Sequence, residues 1–289
     1  MSAANKHAML DQLLRQPLGL LSVSVLAVYV LMACGVWLSW WAGNWFELAG
    51  PMWAPPSSEH WLGTNRLGQD ILMRAVASTA TAFQIAVPVA LLSTLIGALA
   101  GGAAGYFSHG WLDEFLLWLM GTLDAIPFYL LVVALAFALQ GHAWTMHLAM
   151  IAVFWTTTAR LVRAETQRIR QLPYIEAARV AGLAPAHIIR RHVLPNTVPV
   201  LLVQGTLVFI AAIKVEVVLS FLGIGTQDSI SWGLMIAEGA QEILIGQYWN
   251  FVAASVFLFV LVMAFNLLAD QIQDVLDPRS LSARAHRHA

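Results

Sequence analysis

Of 289 residues, 59% are hydrophobic and 11% charged, against about 25% charged in a soluble domain. Such a chain cannot cover a water-facing surface, and its mean hydropathy of +0.71 places it among polytopic membrane proteins. The net charge of −1 gives no reason to expect nucleic acid as a partner, and the single Cys34 excludes an intrachain disulfide and a cysteine-based metal cluster.

Residues 1–17 are polar, with Lys6, His7 and Arg15. The stretch from Gln12 predicts a short interfacial helix ended by Pro17. Leu18 to about Trp41 is the first span, long enough for a hydrocarbon core of about 30 Å. It is too long for a signal-peptide core, and no small-x-small cleavage site follows, so the start does not read as a cleavable signal. Trp37, Trp40, Trp41 and Trp45 gather at its far end, as in an interfacial aromatic belt. Residues 42–80 form a polar connection broken by Pro51, Pro55 and Pro56. Gly63 and Gly68 bracket a turn, and Gln69 to Ala80 predicts a short helix near the surface.

The second span runs from about Phe83 to Tyr106, with Gly97, Gly101 and Gly105 on one stripe that permits close helix approach. After a short connection, the third span is expected over Phe115–Leu139, with Asp124 near its middle and Thr122 and Pro127 beside it. The fourth covers about Ala143–Thr158, its helix able to continue through Arg160. The fifth covers Val198–Leu222 with Lys214 and Glu216, and the sixth Trp249–Ala269. Between these last two, residues 223–248 form a second outward connection rich in glycine. The expected organisation is therefore an N-terminal segment 1–17, a first helix with its connection 18–82, a core 83–270, and a tail 271–289.

Seven of the fifteen Lys and Arg residues lie between 160 and 197: Arg160, Arg163, Arg168, Arg170, Arg179, Arg190 and Arg191. Six spans with this loop cytoplasmic put both termini inside, together with Lys6, Arg15, Arg279, Arg284 and Arg287. Only Arg66 and Arg74 then lie outside, as the positive-inside rule requires.

The loop itself predicts two short helices across a corner. Pro173 suits a first helical turn, where its missing N–H costs nothing, and Glu176 follows near the positive end of that helix. Ala177, Ala178 and Ala181 favour helix, and Gly182 can cap it in a left-handed conformation. Pro185 restarts a helix running toward Val193, with Pro195 as its stop. A rigid knuckle tethered to spans at both ends suits docking into a groove of another protein. From local physics alone, a passive interfacial loop or a lipid-headgroup patch remains open.

The residues narrow that choice. EAARVAG followed by HVLP resembles the EAA loop of ABC importer permeases, with Glu176, Ala177, Ala178, Gly182, Leu194 and Pro195 in register and His192 in place of the usual isoleucine. HWLGTNRLGQDILMR, LDAIPFYLL, VVLSFLGIG with SWG, and FNLLADQIQDVLDPR resemble the dipeptide/oligopeptide/nickel branch, in its C-type subunit. Asn65, Gln69 and Met73 depart from the commonest Asp, Arg and Ser of that branch. The resemblance implies an all-α polytopic protein of the type I importer permease fold, with six transmembrane helices. It further implies a non-catalytic inner-membrane subunit that moves short peptides, nickel or antimicrobial peptides being alternatives. It implies coupling through those six residues to two cytoplasmic ATPase subunits that use ATP and Mg. A homologous second permease and a periplasmic or lipid-anchored binding protein complete the implied assembly, with membrane lipid around it.

Ionisable groups within spans are functional candidates, because hydrocarbon penalises them. Asp124, Lys214 and Glu216 are therefore candidates for the translocation pathway. Lys214 and Glu216 are about 200° apart on a helix and cannot share a face. A rival reading uses Asp124 and Glu216 as the proton carriers of a secondary transporter, but no inverted repeat is visible. His142, His147, His286 and His288 lack supporting carboxylates and read as ordinary histidines, so no metal or cofactor is expected on this chain.

Overall fold

A computed structural model of the protein describes residues 16–139, 142, 144–225 and 229–276. The N-terminal segment with Lys6 and Arg15 lies outside the described residues, as do the tail arginines, His286 and His288. Among the described residues the regular structure is helical, apart from one isolated bridge between Thr64 and Asp70.

Helix α1 spans Pro17–Trp37. Pro17 opens this helix, where its fixed φ and missing N–H suit the first turn; residues 12–15 of the short helix expected before it lie outside the described residues. Helix α2 spans Ile71–Tyr106, 36 residues, or about 54 Å at the α-helical rise. The short surface helix expected at Gln69–Ala80 is thus the start of the second span. No glycine or proline separates Ile71 from Val87, so nothing ends the helix there, and Pro88 is absorbed within it.

The expected third span is not continuous. Helix α3, Trp111–Asp124, and helix α4, Phe128–Ala138, meet at an angle of 91°. Pro127 lacks an N–H and pushes Ile126 away from helical angles, which breaks the ladder. Asp124 is the last residue of α3, at the break. Helix α5, Thr145–Arg170, carries the fourth span on through Arg160 as anticipated.

Helix α6 spans Pro173–Val180 and α7 spans Pro185–Ile188. A π turn over Ile189–Val193 leads directly into α8, Leu194–Phe221. Pro195 therefore does not stop the helix. The wider i→i+5 turn, in which the Leu194 N–H donates to Ile189 O, lets the chain pass a proline in the first turn of α8. Helix α9, Trp232–Glu242, occupies the second outward connection and is capped by the Ser231 hydroxyl. A 3₁₀ turn, Ile243–Ile245, precedes α10, Trp249–Leu276.

Among the described residues, four helices are long and apolar enough to cross a membrane, five if the bent α3–α4 pair counts as one. The expected six are not all met. Helix α5 falls short because His147, Thr156, Thr157, Thr158 and Arg160 interrupt its apolar half.

The chain forms two compact units. The first holds, of the described residues, Pro88–Phe209 with 269–276. Here the glycine stripe of α2 lies against α5. A Cβ on Gly97 would sit 2.5 Å from that of Thr158, one on Gly101 would collide with the Ala159 carbonyl, and one on Gly105 would sit 2.6 Å from Arg163 O. Met120, Trp155 and Ala159 are buried beside this seam. The second unit holds, of the described residues, 16–87 with Ile210–Leu268. Its centre is Trp232, which is fully buried and donates from its indole to Ala75 O at 3.0 Å. Tyr29 packs edge-on to Trp232 and Phe257, and its hydroxyl donates to Phe257 O at 2.8 Å.

Candidate coupling site

The knuckle at 173–195 is built by local rules. Leu172 is extended, Pro173 takes the first helical position, and Glu176 falls in the first turn of α6. At the other end the Gly182 N–H donates to Arg179 O at 3.0 Å, and the Leu183 N–H to Ala178 O at 3.2 Å. These are the paired bonds of a Schellman cap, and Gly182 adopts the left-handed conformation that cap needs, with φ of 77°. The cap satisfies carbonyls that the helix end would otherwise leave bare.

One side of the knuckle is glued down. Tyr106, Ile169, Ile175, Ala178, Ile188 and Val193 form a buried apolar cluster, with Leu172 and Ile189 against it. Arg170 anchors the same corner, donating to Ser108 Oγ at 2.7 Å and lying 6.0 Å above the Tyr106 ring. The other side is open. Glu176, Ala177, Gly182 and Pro195 are exposed, and so are Tyr174 and Val180, the latter at 86%. The six matched residues thus divide: Ala178 faces inward and Leu194 is half-buried, while the remaining four face out.

A salt bridge that the sequence does not announce braces α5. Arg163 holds Asp113 with two hydrogen bonds, of 2.6 and 2.8 Å, and Asp113 also accepts from the His109 N–H. That carboxylate pushes the Arg163 guanidinium further above its already high ordinary value, so this arginine stays charged.

The span charges are dispersed. Asp124 pairs with Arg160 at 2.5 Å, both about half exposed, and the Thr156 hydroxyl lies 3.4 Å away. Thr122, beside Asp124 in sequence, donates instead to Trp118 O. Glu216 is 1% exposed and accepts from the Ser220 hydroxyl at 2.6 Å. Lys214 lies on the exposed side of α8 and, among the described residues, forms no ion pair. In the first turn of α2, Arg74 is 2% exposed and donates to Glu238 at 2.6 Å and to Gln69. Arg74 and Glu238 are 164 residues apart, so no local spacing could reveal the pair. Among the described residues no three His, Cys, Asp or Glu side chains converge on a metal site; His147 is buried beside Trp144.

Residues 93–282 match the family described as binding-protein-dependent transport system inner membrane component. The dipeptide transport system permease protein of Bacillus subtilis is 38% identical over 227 residues, 78% of this chain and 70% of that one. An oligopeptide transport system permease protein of Mycobacterium tuberculosis is 38% identical over 80% of this chain and 79% of its own. The probable D,D-dipeptide transport system permease protein of Escherichia coli is 31% identical over 90% and 86%. In a solved structure, the inward-facing MetNI methionine ABC transporter, one chain aligns over 68% of this chain and 94% of its own, at 19% identity and a TM-score of 0.48. With a span-rich helical fold and a family match over some two thirds of its length, the chain belongs to the inner-membrane permease components of binding-protein-dependent transport systems.

Proposed function

We propose that this chain is the permease half of an ATP-driven importer of short peptides, and that its 174–195 knuckle receives the force. The observation that carries the reading is the knuckle's construction: an exposed ridge of Tyr174, Ala177 and Val180 on a short helix whose back is fixed to a buried cluster. A helix fixed in this way transmits a push to the spans it adjoins, as a floppy loop would not. Glu176, Ala177, Gly182 and Pro195 present the docking surface, while Ala178 and Leu194 hold it in place. The relatives' names support peptides as the cargo.

In this reading the basic loop and both termini are cytoplasmic. Two ATPase subunits, using ATP and Mg, dock on the knuckle of this chain and on that of a homologous second permease. A periplasmic or lipid-anchored binding protein delivers substrate from the other side. This chain contributes no chemistry of its own. Lys214 and Asp124, both accessible on their helices, face the pathway; Glu216 joins it only in a conformation that unpacks Ser220. The test is co-expression with the neighbouring transporter genes, co-purification, and ATP hydrolysis in liposomes with candidate peptides. ATP hydrolysis that rises with a di- or oligopeptide and its binding protein supports the proposal. A chain that retains no ATPase subunit contradicts it.

A further inference from the structure

Behind the knuckle lies a polar cleft of about 730 Å³, lined by Ser108, His109, Arg163, Gln167, Arg170, Gln171, Glu176 and Arg179. That volume suits a small-molecule site. Its lining is rich in donors: three guanidiniums, two carboxamides, a hydroxyl and an imidazole, against one carboxylate. The charges are not mutually cancelled. Asp113 neutralises Arg163 from behind, but among the described residues neither Arg170 nor Arg179 has a carboxylate within ion-pair distance. Arg170 is held in place by Ser108 and Tyr106, so its fork meets a ligand already oriented.

We infer that this cleft binds a phosphate-bearing anion through Arg170 and Arg179, with Gln167, Gln171 and Ser108 as further donors. Guanidinium forks match phosphate oxygens with paired, charge-assisted bonds. The cleft adjoins the end of α2 at Tyr106, close in sequence to Trp111, which is 79% exposed. Interfacial aromatics of this kind mark headgroup depth, and basic pockets between membrane helices hold anionic headgroups. An anionic phospholipid therefore reaches the cleft without leaving its leaflet, while a soluble phosphate would enter from the aqueous side. The inference does not rest on ATPase docking, although Glu176 and Arg179 border both surfaces.

The experiment is native mass spectrometry of the full chain in neutral detergent, titrated with phosphatidylglycerol, with phosphatidylcholine, and with phosphatidylglycerol in the presence of inorganic phosphate. Arg179→Gln is the decisive variant, since among the described residues the Arg179 side chain makes no hydrogen bond or ion pair, and the substitution keeps the backbone bond from Gly182. It is expected to weaken the phosphatidylglycerol adduct about tenfold. Arg170→Gln is expected to do at least as much, and Arg190→Gln with Arg191→Gln, outside the cleft, to leave binding unchanged. An adduct that survives excess phosphate assigns the site to the lipid headgroup; one displaced by it assigns a soluble anion. Equal binding by Arg179→Gln and the unaltered chain, or equal loss in the Arg190/Arg191 control, overturns the inference.

Discussion

Arg163 grips Asp113 with both arms of its guanidinium, Nε to Oδ1 at 2.6 Å and Nη2 to Oδ2 at 2.8 Å. The carboxylate is 1% exposed and the arginine partly so. The bond ties the start of α3 to the part of α5 that leads into the knuckle. Breaking a buried pair from one side leaves a charge without a partner, at a cost of about 3 kcal/mol or more. Asp113→Ala is expected to lower the thermal midpoint in detergent by several degrees. Arg163→Lys, which keeps the charge but loses the fork, is expected to fall between it and the unaltered chain.

Gly182 has open space around it; a Cβ there would meet nothing within 4 Å. Any cost of substitution therefore comes from the backbone. A β-branched residue held at positive φ costs on the order of 1–3 kcal/mol, and the corner can relax by opening. Gly182→Val is expected to insert and assemble normally but to lose uptake, whereas Gly182→Asn, tolerant of the left-handed region, keeps most of it. Uptake assays with quantified membrane protein distinguish the two. Full uptake by Gly182→Val would remove the corner from the coupling mechanism.

Gly101 behaves differently, because its neighbour is immovable. A methyl at Gly101 would run into the Ala159 backbone. Gly101→Ala is expected to cost about 1–3 kcal/mol by overpacking, and Gly101→Leu to prevent a stable chain. Gly121, with nothing within 4 Å, serves as the control: Gly121→Ala should leave the melting temperature unmoved.

How much of this was legible in sequence depends on the range of the interaction. The knuckle was readable because proline at a first turn and glycine at a left-handed cap act within a few residues. The Gly97–Gly101–Gly105 stripe was readable as a contact surface, but nothing in it named α5 as the partner. Arg163–Asp113 and Arg74–Glu238 join residues 50 and 164 apart and leave no periodic trace. The break in the third span was visible as Pro127, yet continuous apolarity through α3 and α4 masked it. Pro195 misled for the converse reason: a π turn upstream let the helix continue past a residue that usually ends one.

Glu238 offers a further test. It accepts from the buried Arg74 at 2.6 Å, with the Asn250 amide 3.5 Å away. Glu238→Gln is expected to destabilise by about 3–5 kcal/mol, because the buried Arg74 guanidinium loses its carboxylate partner. Replacing both, as Arg74→Met with Glu238→Leu, is expected to recover most of that loss. A thermal or denaturant series on the single and double variants measures the difference.

The proposed place of Lys214 in the pathway carries a prediction about selectivity. A cation on an accessible face of a membrane helix favours carboxylate-bearing cargo. Lys214→Glu is expected to shift competition in uptake assays away from acidic peptides, and Lys214→Ala to flatten it. An unchanged profile in both variants removes Lys214 from the pathway.

The most direct measurement of the coupling claim is cross-linking from single cysteines along α6 to the ATPase subunit, in a Cys34→Ser background. Val180 and Ala177 are exposed, while Ala178 is buried in the cluster beneath. Cysteines at 177 and 180 are expected to cross-link to the ATPase, with a yield that changes on adding ATP, and a cysteine at 178 is not. Cross-linking at 178 with none at 177 and 180, or none at any position in an assembled complex, contradicts docking on this ridge.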